Sequence, residues 1–272
     1  MTVSIIIVSF NTKNILEKCL GSLEHGCWGL KGSWEVVVVD NGSTDGSAEF
    51  LRQWQKENLA YQFIGLAKNY GFSKAVNQGI KKAEGKYLLL LNSDVICRKG
   101  AIVSLIKFTE KTESVGIVGG RLLNPDGTPQ SSVFHLPTIS GAVREFWLGQ
   151  SGAFQKYLPD GDKPVIVEAV VGAVMLIPKQ VTEKVGLFDK RFFLYFEDLD
   201  YCRRLRKAGF RIYYFPQAQF VHCHGASGKK TPGKVNSYLV QSSKIYHGLF
   251  RHYLINTVIA GGQKMVKLRK AL

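Results

Sequence analysis

Short, almost continuous apolar runs alternate along the chain with longer stretches in which apolar residues recur every three or four positions. The runs are Val3–Val8 (VSIIIV), Glu35–Asp40 (EVVVVD), Tyr61–Leu66 (YQFIGL) and Lys86–Asn92 (KYLLLLN). Strands covered on both faces read this way, because neither face has to meet water. Between them, Asn14–Leu23 places Ile15, Leu16, Cys19, Leu20 and Leu23 on one stripe, and Ser73–Ala83 does the same with Ala75, Val76, Gly79, Ile80 and Ala83. A third helix-length segment, Ser47–Gln55, follows a turn. Strand, helix, strand, helix predicts right-handed βαβ units around a parallel sheet.

The second half is less regular. Ser114–Leu123 reads as a further strand, Arg121–Ser132 (RLLNPDGTPQSS) as turn-rich, and Val167–Pro178 as a buried strand broken at Gly172. Phe134–Gly161 is aromatic and glycine-rich without a period, which predicts a mobile loop over a cleft. Leu199–Ala208 is expected to be a helix with Leu199, Cys202 and Leu205 buried, its arginines outward or near its end, and Gly209 as a left-handed cap. Arg211–His222 reads as strand and turn, and helical spacing returns from Val235.

A length of 272 residues, 45% of them hydrophobic, suits one large domain or a domain with an appendage and excludes disorder. No apolar run reaches the ~18 residues of a spanning helix. The start lacks the basic region and cleavage site of a signal peptide. Five scattered cysteines read as reduced thiols, as in the cytoplasm. Charge changes the picture more. All 21 acids precede residue 201, yet 14 of the 36 Lys and Arg follow it, so the net +15 belongs almost entirely to the C-terminal part. That asymmetry calls for an anionic partner. No aromatic-basic RNA motif accompanies it, so nucleic acid is not expected.

Candidate chemistry gathers where strands end. Asp40 closes a four-valine run and opens NGSTDGS, and Asn92-Ser93-Asp94 closes the run LLLL. The carboxyl ends of parallel strands are where ligands bind. Asp94, with an oxygen ligand two residues earlier, suits a hard divalent cation; the plain alternative for both stretches is a capped turn. His222 and His224 stay open on spacing alone, because a lone His is more often packed or solvated than a ligand. The stretch YFEDLDYCRRLRKAG (Tyr195–Gly209) places Glu197, Asp198 and Asp200 at a helix start. Capping needs one acid, and crowded carboxylates raise one another's pKa, as a general base requires.

In this order the stretches resemble the inverting family 2 glycosyltransferases, in their bacterial rhamnosyltransferase-like branch. The carrying segments are VSIIIVSFNT, VVDNGSTDGS, NYGFSKAVNQGI, LLLLNSD, Val171–Pro216 and VHCHGAS. The resemblance implies an α/β GT-A fold: a mainly parallel nucleotide-binding sheet flanked by helices over 1–225, with a basic amphipathic helical extension over 226–272. It implies that Ser9, Asn11, Asp40, Asn69, Gly71, Asn92 and Ser93 contact the donor nucleotide, helped by Lys68 or Lys74. Asp94 and His222 would hold Mg²⁺ or Mn²⁺, with Asn92 standing where the family's metal motif has its first Asp. Asp198 becomes the base that deprotonates an acceptor hydroxyl, and Glu197 and Asp200 would orient the acceptor or the helix start. The implied partners are a dTDP- or UDP-sugar, a glycan or polyprenyl-linked acceptor, and an anionic membrane at its cytoplasmic face, with the extension otherwise packed on the domain or pairing two copies. A sugar-1-phosphate nucleotidyltransferase and a non-catalytic nucleotide-sugar-binding protein are the alternatives.

Overall fold

The four apolar runs become four parallel strands, β1 (Val3–Ser9), β2 (Trp34–Asp40), β3 (Tyr61–Gly65) and β4 (Tyr87–Asn92), in a computed structural model of the chain. The structure describes every residue except 32, 59, 224–231 and 272, and omits the side chains of 232–234 and 267–271. Alternate residues of β1 feed opposite layers. Ile5 and Ile7 pack with Leu16, Cys19 and Leu20 of α1 (Lys13–Gly21). Ile6 packs with Val76 and Ile80 of α4 (Phe72–Lys82). Both faces are therefore dry, which is why the strand shows no polar alternation. The short α2 (Leu23–Gly26) and α3 (Ser47–Glu57) complete the helices of this half.

The strand order β3-β2-β1-β4 reverses at β1. β2 and β4 both pair with it in parallel register, Ser9 opposite Asp40 and Val8 opposite Asn92. Such a reversal splays the loops that follow the strands and opens a crevice at their carboxyl ends.

The second half extends the same sheet. After β5 (Val95–Cys97), α5 (Ala101–Glu110) and β6 (Val115–Leu123) come the two-residue β7 (Val133–Phe134) and α6 (Ile139–Phe146). Then follow β8 (Val165–Val167), β9 (Ala169–Val170), β10 (Val174–Pro178) and α7 (Lys179–Val185). The chain ends with α8 (Glu197–Lys207), β11 (Arg211–His222), α9 (Pro232–His247) and α10 (Leu249–Ala271). β10 lies antiparallel between β4 and β6, and β11 runs parallel to β6. β5 and β8 also pair with β11, and β7 pairs with β9 separately.

Two expectations change, and of the readings left open for the C-terminal segment the structure shows packing on the body. Phe134–Gly161 contains a helix, α6, whose N-terminus is capped by the Thr138 hydroxyl accepting from Gly141 N at 3.0 Å. Arg211–His222 is one strand whose pairing slips between Phe215 and Gln219, next to Pro216, which has no N–H to give the ladder. The C-terminal helices pack on the body: the Trp147 indole donates to Val258 O at 2.8 Å, and Gly262 leaves no room for a Cβ against Phe146 O. The expected boundary at 225/226 lies outside the described residues. All five cysteines are free thiols. No described helix is long and apolar enough to cross a membrane.

Candidate active site

The loops after β1, β2 and β3 are tied to one another by side chains that satisfy neighbouring backbone groups. Asn11, at a positive φ of 55°, accepts from Thr44 N at 2.8 Å, while its own N–H donates to Ser43 Oγ at 2.9 Å. Asp40 is buried; Oδ2 accepts from Ser43 N at 2.9 Å, but Oδ1 has no hydrogen-bond partner. A buried carboxylate oxygen left unbonded is costly, so Asp40 fits a site completed by a ligand N–H or O–H. Asn69 Oδ1 accepts from Asn41 Nδ2 and Gly71 N, and Asn41 Oδ1 accepts from Tyr70 N. Gly71 is required sterically: at φ 88°, a Cβ there would lie 2.7 Å from Phe193 O.

Ser9 and Ser93 are joined through a third hydroxyl. Both are buried, and the Thr12 hydroxyl joins them, at 3.0 Å to Ser9 Oγ and 3.1 Å to Ser93 Oγ. They tie the ends of β1 and β4 together beneath the crevice.

Asp94 and His222 are brought together by the pairing of β5 with β11, in which His222 stands opposite Val95. His222 Nε2 lies 3.4 Å from Asp94 Oδ1. Gln130 settles the imidazole's tautomer. Its amide nitrogen donates to Asn124 Oδ1 and His222 O, so its Oε1 faces His222 Nδ1 at 3.0 Å and Nδ1 carries a proton. Nε2 is then directed at the carboxylate, an arrangement in which both could ligate one cation. No group of three or more His, Cys, Asp or Glu suited to a metal occurs among the described residues. His224 lies outside the described residues.

The acids of α8 take three different places. Asp198 Oδ2 accepts from Gly172 N at 3.1 Å and Oδ1 from Leu199 N at 2.8 Å. Burial pushes its carboxyl up, against these backbone hydrogen bonds and the nearby Lys156 charge, which pull it down. Glu197 is raised by burial and then by the Asp198 charge, and its Oε2 has no hydrogen-bond partner. Asp200 takes the helix-start place, one of the two expected for it. Arg203 and Arg204 occupy its two oxygens at 2.8 and 2.9 Å, so it orders the helix start. These arginines fold back along α8, contrary to the outward placement expected; Arg204 also donates to Val185 O and Leu187 O.

A two-residue hinge joins the acid to the metal-type pair. Gly172 N holds Asp198, and the next residue, Ala173, accepts from Asn92 N at 3.0 Å, two residues before Asp94. The hollow bounded by Tyr87, Ser114 and Lys179 lies at the opposite ends of these strands and contains none of this chemistry.

The model of the family described as Glycosyl transferase family 2 matches residues 4–166. The chain belongs to that family. It is 26% identical over 247 residues to the N-acetylglucosaminyl-diphospho-decaprenol L-rhamnosyltransferase of Mycobacterium tuberculosis, covering 84% of this chain and 78% of that one. It is 30% identical over 216 residues to the low-salt glycan biosynthesis hexosyltransferase Agl10 of Haloferax volcanii, covering 77% and 63%. Among solved structures, the mannosyltransferase PcManGT of Pyrobaculum calidifontis, in complex with GDP-Man and Mn²⁺, superposes with a TM-score of 0.65 at 17% identity, covering 99% of this chain and 75% of that one. The fold is GT-A.

Within this family 2 glycosyltransferase, several supporting residues escaped the sequence. Gln130 sat in a stretch that reads only as a turn. Thr12 and Lys156 carried no pattern, and Gly172 read only as a break in a strand. The largest omission is the grip of α9 on the segment before the acids. Tyr195 and Phe196 both have positive φ, 69° and 65°, a strained pairing for non-glycine residues. Phe193 stacks on Tyr238 at 4.3 Å, Ser242 Oγ donates to Leu194 O at 2.8 Å, and Phe196 packs on Tyr246.

Proposed function

We propose that the chain transfers a sugar, with inversion, from a nucleoside-diphosphate donor to a hydroxyl of a glycan or lipid-linked glycan. The observation that carries this reading is the Gly172–Ala173 hinge, which bonds Asp198 on one side and the Asn92–Asp94 turn on the other. Relatives' names support rhamnose as the sugar, a diphospho-polyprenol acceptor and glycan biosynthesis as the setting. Asp40 Oδ1, buried and unbonded, supports a base or ribose contact for a dTDP- or UDP-type donor.

Asp94 and His222 offer one carboxylate and one imidazole nitrogen, a donor pair that fits Mn²⁺ or Mg²⁺ completed by a diphosphate. When bound, the ion offsets the negative charge that develops on the departing diphosphate. The chain's own residues supply the rest. Asp198, ionised, accepts the proton of the acceptor hydroxyl. The hydroxyl oxygen bonds to the anomeric carbon as the bond from that carbon to the phosphate oxygen breaks, and attack from the opposite face inverts the centre. The N–H groups of Gly172 and Leu199 hold the carboxylate for this role.

Asp198→Asn keeps the shape and removes the base. Turnover should fall by about 10²- to 10⁴-fold while nucleotide affinity stays unchanged. Near-normal turnover in that variant would reject the assignment. The anomeric configuration of the product, read by NMR, tests inversion separately.

A further inference from the structure

The basic C-terminal helices bury one side against the body and leave large apolar side chains on the other. On α10, His252 and Ile255 are buried, whereas Phe250 is 80% exposed, Leu249 63% and Tyr253 57%. These three lie within one turn of each other. The exposed strip continues onto α9 through Lys244, whose ammonium sits 5.4 Å above the Tyr253 ring, and one turn back to exposed Val240. On the other side it reaches the half-exposed Trp147, which is bonded to Val258 O on α10. Exposed apolar residues in a continuous strip mark an interaction surface.

Charge selects the occupant. Residues 201–272 contain no acid, and Arg251 and Arg144 are exposed beside the strip. Glu145, the acid on α6, is turned inward to Phe154 N and Gln155 N. A second copy of the chain meeting this surface by two-fold symmetry would set like charges against each other with no carboxylate from α9 or α10 to pair them. An apolar strip rimmed by Lys and Arg matches instead the interface of an anionic bilayer, with aromatics at headgroup depth and cations on lipid phosphates.

We propose that the α9–α10 hairpin seats the enzyme on an anionic lipid surface through Val240, Leu249, Phe250, Tyr253 and Trp147, with Lys244 and Arg251 contacting headgroups. The proposal does not depend on which sugar is transferred or on the role of Asp198. The opposite face of α9 grips residues 193–196, so seating this hairpin brings the strained catalytic segment close to the lipid.

The test uses the full chain and co-sedimentation with vesicles of phosphatidylcholine alone or with about one third phosphatidylglycerol. Binding should be at least about tenfold stronger to the anionic vesicles, and should weaken several-fold between roughly 0.1 and 0.5 M salt. The double substitution Leu249→Glu with Phe250→Glu should reduce binding by about tenfold or more. Arg251→Glu should reduce it less and flatten the salt dependence. Unchanged thermal midpoints would show that the variants fold. Equal binding to both vesicle types, no binding at low salt, or undiminished binding by the double variant would each overturn the proposal. So would a lipid-free dimer, seen by sedimentation velocity, that the double variant dissolves.

Discussion

The two halves of the active site are stabilised by different physics. The nucleotide-side loops after β1, β2 and β3 are held by short side-chain bonds to backbone N–H groups, from Asn11, Asp40, Asn41 and Asn69. Asn11 and Asn41 each order a loop other than their own, while Asp40 and Asn69 close turns within theirs, so the set is preorganised by local bonds with Asp40 Oδ1 left over. The acid-side segment 193–198 is held by ring stacking, by two consecutive left-handed residues and by a helix from the far end of the chain. Of its carboxylates, Glu197 is buried and Asp198 half-buried, and desolvation raises both. The first half is rigid on its own terms. The second stores strain that α9 opposes, so its geometry depends on residues that never reach the chemistry.

Gly71→Ala attacks the joint between the halves and carries the largest expected effect. Phe72 N donates to Phe193 O at 2.7 Å directly beside the position where the new Cβ would collide. The positive φ and the collision together should cost about 2–4 kcal/mol in urea unfolding. A loss under about 0.5 kcal/mol, as at an ordinary surface site, would mean the halves are not coupled there. Gln130→Leu sharpens the comparison on the metal side. It removes the acceptor that fixes the His222 tautomer. Mn²⁺ affinity in the presence of a nucleoside diphosphate, measured by calorimetry, should weaken by about 10- to 100-fold. Unaltered affinity would remove His222 from the site.

The same contrast explains what the sequence disclosed. The nucleotide half was legible because one run of residues builds each part of it. The valines of β2 lead directly into Asp40, and the leucines of β4 into Asn92 and Asp94. Burial on both faces leaves an unbroken apolar signature, and the reversal of strand order puts the chemistry at its end. The acid half was legible only as a cluster. Asp200 looks like Glu197 and Asp198 in one dimension, and only the backward fold of Arg203 and Arg204 separates its structural place from theirs. The tie of Ser9 and Ser93 through Thr12 was not legible, because Thr12 is 81 residues from Ser93. The grip of α9 on Leu194 and Phe196 joins residues about fifty positions apart and leaves no periodic trace. α6 was hidden by a composition that suits a loop.

Ser242→Ala tests whether that distant grip matters to the acid half alone. The Ser242 hydroxyl is buried and bonded to Leu194 O, so its loss leaves a carbonyl unsatisfied. A stability loss of about 1.5 kcal/mol is expected. A fall in kcat should accompany it, with donor affinity unchanged. Equal losses in donor affinity and kcat would show that the nucleotide loops also lean on α9.

Glu197→Gln probes the buried charge with the smallest effect. In the folded chain, burial and then the Asp198 charge raise the Glu197 pKa above its unfolded value, so folding favours its protonated form. The sign follows from linkage. Stability associated with the protonated carboxyl is fully present below the ordinary value of about 4.3, and declines as pH rises toward the raised value. The glutamine variant has no such ionisation. Relative to it, the parent should therefore lose stability as pH goes from about 4 to 8, by roughly 1 kcal/mol or more. Taking the difference between the two pH values cancels any fixed cost of burying the amide. Thermal or urea unfolding at both pH values reads it directly. A parallel pair of stability–pH curves would mean that Glu197 ionises freely and that water reaches it, and the acid half would then be no more desolvated than the nucleotide loops it faces.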